Sequence, residues 1–106
     1  MPRRIAAGNW KMNGTQAALS ELASIAAASG EVSCTTILCP PTTLLQAAVQ
    51  SSGSLAIGGQ NCHHEATGAH TGDVSAQMLA DVRAQYVIVG HSERRNGYAE
   101  SDALVQ

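Results

Sequence analysis

Four short apolar runs, each followed by a stretch with helical spacing, constrain the fold of this 106-residue chain most strongly. The runs are apolar at nearly every position rather than at alternate ones, which is typical of parallel strands covered on both faces. Such a repeat predicts an α/β fold with right-handed crossovers, either a partial barrel or an open doubly wound sheet. The predicted strands are residues 3–10, 34–40, 55–61 and 86–90, and the predicted helices are 15–29, 42–52, 74–84 and, in part, 101–106.

Glycines and small polar residues mark the predicted helix ends. Thr15 is placed to cap the first helix and Gly30 to end it, and Gly53 follows the second helix. The third helix has two candidate caps, Asp73 and Ser75. The incomplete last helix would begin after Ser101.

Composition excludes several classes of partner. The net charge of -2 provides no basic surface for nucleic acid or for an anionic membrane. No apolar stretch approaches the roughly 20 residues that cross a bilayer. Cys34, Cys39 and Cys62 are too few for a disulfide scaffold, so reduced thiols in a cytoplasmic protein are expected.

Polar residues follow each predicted strand. The carboxyl ends of parallel strands lie at the same edge of a sheet or barrel, where sites are commonly built. We therefore expect a lysine, an asparagine, a histidine and a carboxylate to meet there, although strand-end loops are polar in any protein. The residues concerned are Asn9, Lys11, Pro40, Gln60, Asn61, His91, Ser92 and Glu93.

Lys11 lies in the turn AGNWKMNG, between asparagine and glycine residues. A cation held in a tight turn suits a phosphate or a developing oxyanion. The alternative is an ordinary solvent-facing lysine. The turn lacks the spacing of a phosphate-binding P-loop.

His91 directly follows the fourth predicted strand. A short helical turn that uses Ser92 as its cap would place peptide N–H groups beside the imidazole. Those groups disfavour the imidazolium form, so a neutral ring that donates and accepts protons is expected. The alternative is a histidine that merely ends a strand.

The loop at 61–73 contains three histidines and further candidate ligands. Adjacent His63 and His64 would have to splay apart to share a metal, and the spacing matches no familiar zinc motif. We therefore expect no metal site and regard this loop as a surface that packs on a partner. The candidate ligands are Cys62, His63, His64, Glu65 and His70.

Four motifs together closely resemble the triosephosphate isomerase family, in its order and at its spacings. They are AGNWKMNG near the start, QN at 60–61, TGAHTGD at 67–73 and VGHSERR at 89–95, and the likeness extends from Ile5 onward. The resemblance implies a (β/α)8 TIM barrel, of which this chain holds about half. It also implies cofactor-free interconversion of dihydroxyacetone phosphate and glyceraldehyde 3-phosphate, a step of glycolysis and gluconeogenesis.

The resemblance also implies a role for individual residues. Asn9 and Lys11 would bind substrate, and Lys11 would also stabilise the phosphate dianion and the enediolate oxygen. His91 would be the electrophile, and its neutral ring beside a helix amino terminus is a known property of this family. Ser92 and Glu93 would support it, with Glu93 near Lys11. Thr71 and His70 would belong to a loop that reaches into a second subunit of a homodimer, with His70 replacing the aromatic residue usual there.

A barrel of this kind has about 250 residues, so residues 1–106 are expected to be its amino-terminal part, ending within the fourth helix. The resemblance implies that the catalytic glutamate and the lid lie beyond this part. Glu93 is the only carboxylate expected near the site, and inactivity of the isolated chain follows.

Two alternatives remain open. One is a non-catalytic half-barrel that self-associates through its exposed edge strands. The other is a small metal-binding or partner-binding module built on the loop at 61–73.

Overall fold

The structure is a computed structural model that describes residues 4–97, with side chains described through Arg94. The predicted helix at 101–106 and its cap Ser101 lie outside the described residues. None of the described helices is long and apolar enough to cross a membrane. The strands are β1 (Ile5–Asn9), β2 (Thr35–Cys39), β3 (Ala56–Gly59) and β4 (Tyr86–Val87), and the helices are α1 (Leu19–Ser29), α2 (Thr42–Gln50), α3 (Ala76–Asp81) and α4 (Ser92–Gly97).

The described strands form one parallel sheet in chain order, β1-β2-β3-β4. Ile5 lies opposite Thr35 at one end of the first pair, and Asn9 lies opposite Cys39 at the other. Each crossover advances by one strand in the same direction, which is how a barrel is built. A doubly wound sheet would reverse this order. The sheet curls into a partial barrel, and the predicted α/β half-barrel fold is confirmed.

The helix ends agree only in part with the predicted caps. Ser75 caps α3, since its hydroxyl accepts a hydrogen bond from the Met78 N–H at 3.3 Å. Thr15 precedes a 3-10 turn at Gln16–Ala18 rather than α1 itself, and it makes no side-chain capping bond. Ser92 is the first residue of α4 rather than its cap.

The fourth strand is shorter and less buried than its apolar sequence predicts. Only Tyr86 and Val87 form the strand, although the Ile88 N–H continues the pairing with the Gly59 carbonyl at 2.9 Å. Val87 and Val89 are 39% and 46% exposed. These side chains are exposed because β4 is an edge strand within the described sheet.

The hydrophobic core joins one face of the sheet to the helices. Leu38 and Ile57 are register partners in the two central strands, and both are buried. β1 contributes little to this core, because the residues from Ile5 to Gly8 are exposed. The buried cluster comprises Leu22, Leu38, Leu45, Ala48, Leu55, Ile57 and Leu79.

Two glycines allow β3 to lie close to its neighbours. A Cβ atom on Gly58 would lie 3.0 Å from both the Cys39 sulfur and the Tyr86 carbonyl oxygen. A Cβ atom on Gly59 would lie 2.9 Å from a methyl carbon of Leu79. Larger residues at these two positions would push β3 away from β4 and from α3. Site residues lie in the segments that follow β3 and β4, so they would move as well.

Candidate active site

A cavity of about 410 Å³ opens at the carboxyl ends of the strands. Asn9 ends β1, Lys11 follows it, and His91 and Glu93 lie around the start of α4. The structure thus brings together residues from distant parts of the sequence at one edge of the sheet, where sites of parallel α/β proteins are found. The lining residues are Asn9, Lys11, Met12, Thr42, Gln60, Asn61, Gly72, Asp73, Val74, His91, Glu93 and Arg94.

Lys11 supplies a cation to this cavity. Its ammonium nitrogen lies 2.9 Å from Glu93 Oε1, and both side chains are more than half exposed. The Lys11 backbone has a φ of 57°, in the left-handed region. Its N–H donates to Asn9 Oδ1 at 2.8 Å, so the first strand-end residue helps to hold the turn.

The Nδ1 atom of His91 contacts both the backbone N–H and the side-chain carboxylate of Glu93. The Glu93 backbone N–H donates to Nδ1 at 3.3 Å, and the Glu93 carboxylate also contacts Nδ1. The first contact requires a lone pair on Nδ1 and the second requires a proton there, so the two compete. The backbone N–H is fixed by α4, whereas the carboxylate also binds Lys11 and the Ser92 hydroxyl. This favours Nδ1 as the acceptor, with the ring proton on Nε2.

The expectation that Glu93 is the only carboxylate at the site is wrong. Asp73 also lines the cavity, because the loop at 61–73 folds back toward the sheet. The His63 N–H donates to the Val74 carbonyl at 2.8 Å, which closes that loop at its base. No local pattern in the sequence indicates that Asp73 approaches the cavity. Thr42, the first residue of α2, was also missed, although it directly follows the prolines that end the second strand.

Gln60 makes side-chain hydrogen bonds to two segments that are distant in the sequence. Its Nε2 donates to the Lys11 carbonyl at 2.8 Å and to the Cys39 carbonyl at 2.9 Å. Its position after the third strand predicts a place at the site edge. The sequence provides no indication of these two partners.

The loop residues Thr71 and His70 do not line this cavity. They line a second one of about 250 Å³. There the His63 ring stacks on that of His70, with centroids 3.8 Å apart, and on that of His64 at 4.4 Å. His70 Nε2 lies 3.1 Å from Glu65 Oε2, and this hydrogen bond lowers the pKa of the Glu65 carboxyl.

Despite this cluster, residues 4–97 contain no group of three or more histidine, cysteine, aspartate or glutamate side chains arranged to hold a metal ion. Stacking places the imidazole rings face to face, whereas shared metal coordination needs their nitrogen atoms to converge. The metal-binding alternative therefore has no support from this geometry.

The fold and the position of the cavity place the chain among parallel α/β barrel proteins. The sequence model described as triosephosphate isomerase matches residues 4–106. Proteins named triosephosphate isomerase from Afipia carboxidovorans and Dinoroseobacter shibae are each 56% identical over 108 residues, covering 98% and 100% of this chain. One from Ruegeria pomeroyi is 56% identical over 107 residues, covering 99% of this chain.

The chain belongs to the triosephosphate isomerase family. It spans 43% of the Afipia carboxidovorans and Ruegeria pomeroyi relatives and 44% of the Dinoroseobacter shibae relative. In keeping with this share, the described residues form part of a barrel.

Proposed function

We propose that this chain supplies the substrate-binding and electrophilic part of a triosephosphate isomerase site, which interconverts dihydroxyacetone phosphate and glyceraldehyde 3-phosphate. The observation that carries the proposal is the shared cavity of Asn9, Lys11 and His91. Family membership supports the choice of reaction. No cofactor is needed, because the isomerisation moves one proton between two adjacent carbon atoms and one between their oxygen atoms, with no net oxidation or reduction of the molecule.

In this proposal Lys11 attracts the substrate phosphate and stabilises the negative charge that develops on the enediolate oxygen. An ammonium fixed at a site edge is preorganised for such charge, which is where electrostatic catalysis is strongest. Asn9 binds substrate beside it and also holds the Lys11 backbone N–H. Glu93 supports Lys11 through the 2.9 Å ion pair.

His91 acts as the electrophile that polarises the carbonyl and transfers protons between the two substrate oxygens. The Glu93 N–H at Nδ1 supports the ring tautomer that carries its proton on Nε2. Ser92 has a supporting part, since its hydroxyl donates to Glu93 Oε2 at 3.4 Å and engages the competing carboxylate.

The 106 residues by themselves convert no triose phosphate in this proposal. Abstraction of a carbon-bound proton needs a carboxylate within reach of that proton. Of the two described carboxylates that line the cavity, Glu93 is engaged by Lys11, Ser92 and His91, and we assign no proton abstraction to Asp73. In this family the base is a glutamate from a later part of the barrel.

The test uses a chimera in which residues 1–106 replace the matching region of the Afipia carboxidovorans relative, hereafter the chimera. It should interconvert the triose phosphates. His91→Gln should lower its kcat by roughly 10²–10⁴-fold, the usual contribution of general acid–base groups. Lys11→Met should lower kcat/KM by at least about 100-fold.

Each variant has a matched control in the same chain. Gln85→Met changes an exposed polar side chain outside the cavity and the loop at 61–73, and Arg83→Met changes an exposed cation that also has a positive φ, of 67°. Both controls should retain activity within about twofold. Full activity of the His91→Gln and Lys11→Met variants would refute the proposed roles.

A homo-oligomer in the cytoplasm is also part of the proposal. Ile5 on β1 is 51% exposed and Val87 on β4 is 39% exposed, so both edge strands of the described sheet present apolar side chains. In the isolated chain such edges favour strand pairing between copies, whereas in a complete barrel later strands would cover them. The three cysteines, all within the described range, are unpaired, which supports a reducing compartment.

The same edges favour the second candidate function, a non-catalytic half-barrel that self-associates. Sedimentation of the isolated 106-residue chain should show dimers or larger species, and Ile5→Lys should weaken them. A compact monomer that unfolds cooperatively would exclude edge-to-edge association. In the assembled enzyme, Thr71 and His70 are proposed to lie in the loop that contacts a second subunit.

A further inference from the structure

The backbone of Lys11 is in an unfavourable conformation. Among the described residues other than glycine, Lys11 and Arg83 have a positive φ. For a side chain with a Cβ atom this region is sparsely populated, and it persists only where the surrounding contacts determine it. The contacts that hold Lys11 therefore bear on where its ammonium group lies.

Arg83 has a simple local explanation. It follows Val82, the residue that caps the carboxyl end of α3, and its N–H donates to the Ala80 carbonyl at 2.9 Å. A left-handed residue just after a helix is a common way to end it. Lys11 follows a strand instead, so no helix end accounts for its conformation.

Side chains from two strand ends hold the Lys11 backbone. Asn9 Oδ1 accepts from the Lys11 N–H at 2.8 Å, and Gln60 Nε2 donates to the Lys11 carbonyl at 2.8 Å. The first contact is local and comes from β1. The second comes from the residue after β3 and so ties the turn to another part of the sheet.

Gln60 is itself anchored. The same nitrogen donates to the Cys39 carbonyl at 2.9 Å, so both hydrogens of the amide are used. Cys39 ends β2 and is 1% exposed, and its carbonyl also accepts from the Trp10 N–H at 3.1 Å. The half-buried Gln60 amide thus joins the end of β3, which Gln60 directly follows, to the end of β2 at Cys39 and to the turn after β1 at Lys11.

We propose that Gln60 is the positioning residue for Lys11: by binding the Lys11 carbonyl it holds the left-handed turn that places the ammonium where it binds the substrate phosphate. This rests on the proposed function, in which Lys11 is the phosphate-binding cation. Gln60 acts through Lys11 and not through its own contact with substrate.

The test measures competitive inhibition of the chimera by inorganic phosphate. Gln60→Met keeps the length of the side chain and removes both donors, so it should raise the inhibition constant by about tenfold, since two hydrogen bonds are lost. Gln60→Glu replaces the two N–H donors by a carboxylate that faces two carbonyl oxygens. It should raise the inhibition constant by at least as much as Gln60→Met. Gln46→Met, at an exposed glutamine of α2, is the matched control and should have no effect.

A double-mutant cycle separates positioning from general support of the fold. With Lys11→Met present, Gln60→Met should change phosphate inhibition by less than twofold, because no ammonium remains to be positioned. An equal effect in both backgrounds would overturn the proposal, as would no effect of Gln60→Met when Lys11 is present. If Gln60→Met does not fold, Gln60→Asn, which keeps the amide but shortens its reach, should show the same pattern.

The Lys11→Met variant distinguishes the phosphate-binding role of Lys11 from the positioning role of Gln60. If Lys11→Met leaves phosphate inhibition unchanged, both the phosphate-binding role of Lys11 and the positioning role of Gln60 are overturned. If Lys11→Met weakens inhibition while the Gln60 effect is additive, only the positioning role fails.

Discussion

Lys11 Nζ and Glu93 Oε1 lie 2.9 Å apart, joining the turn after β1 to the first turn of α4. The side chains are 61% and 51% exposed, so water screens the pair. We predict that Glu93→Gln lowers the free energy of unfolding of the chimera by less than about 1 kcal/mol. Chemical denaturation measures this, and a loss above about 3 kcal/mol would show that the pair is essential for folding.

The Glu65 carboxyl should titrate below its ordinary pKa, because the His70 side chain hydrogen-bonds to it and, when protonated, attracts its charge. Histidines are normally protonated where carboxyls titrate. A lowered pKa in the folded state means that Glu65 stabilises the fold above its unfolded-state pKa. That contribution is lost as the pH falls through the folded-state value.

Carboxyl NMR of Glu65 measures this shift directly. His70→Ala should raise the Glu65 pKa, and His64→Ala should raise it less, because His64 Nε2 lies 3.7 Å from the carboxylate, compared with 3.1 Å for His70. An unchanged titration midpoint in His70→Ala would show that the contact does not persist in solution.

Cys39 should react far more slowly than Cys34 with a thiol reagent. Burial raises the pKa of the Cys39 thiol, and its residue is 1% exposed, whereas Cys34 is half-buried. Both effects reduce the accessible thiolate, and we expect a rate difference of about 100-fold or more at pH 8. Peptide mapping by mass spectrometry measures each rate. In denaturant the two cysteines should react at equal rates. Equal rates in the folded protein would contradict the buried position of Cys39.

Gly58→Ala should destabilise the chimera by about 1–3 kcal/mol, since its Cβ would crowd the Tyr86 backbone and the Cys39 sulfur. Gly30→Ala is the matched control. Its φ is −69° and its nearest contact, the Ser54 hydroxyl, is at 3.7 Å, so alanine should be neutral or stabilising by up to about 1 kcal/mol. Equal losses in the two variants would show that packing around β3 is loose.

Sequence patterns predicted the strand–helix order well, because apolar runs and helical spacing are local properties. They also indicated that Asn9, Lys11 and His91 share an edge, since that follows from parallel topology. They missed the approach of Asp73 to the cavity, which depends on how a long loop folds back. The Gln60 contacts were missed for the same reason, because hydrogen bonds between distant segments have no periodic signature.

The most direct test of the central claim is an NMR titration of the chimera with glycerol 3-phosphate, a non-isomerising phosphate ester close in size to the proposed triose phosphate substrate. We expect saturable chemical-shift changes at Asn9, Lys11 and His91, and none at His63 or His70. Shifts confined to the histidine loop, or an absence of shifts at Lys11 and His91 at saturating ligand, would contradict it.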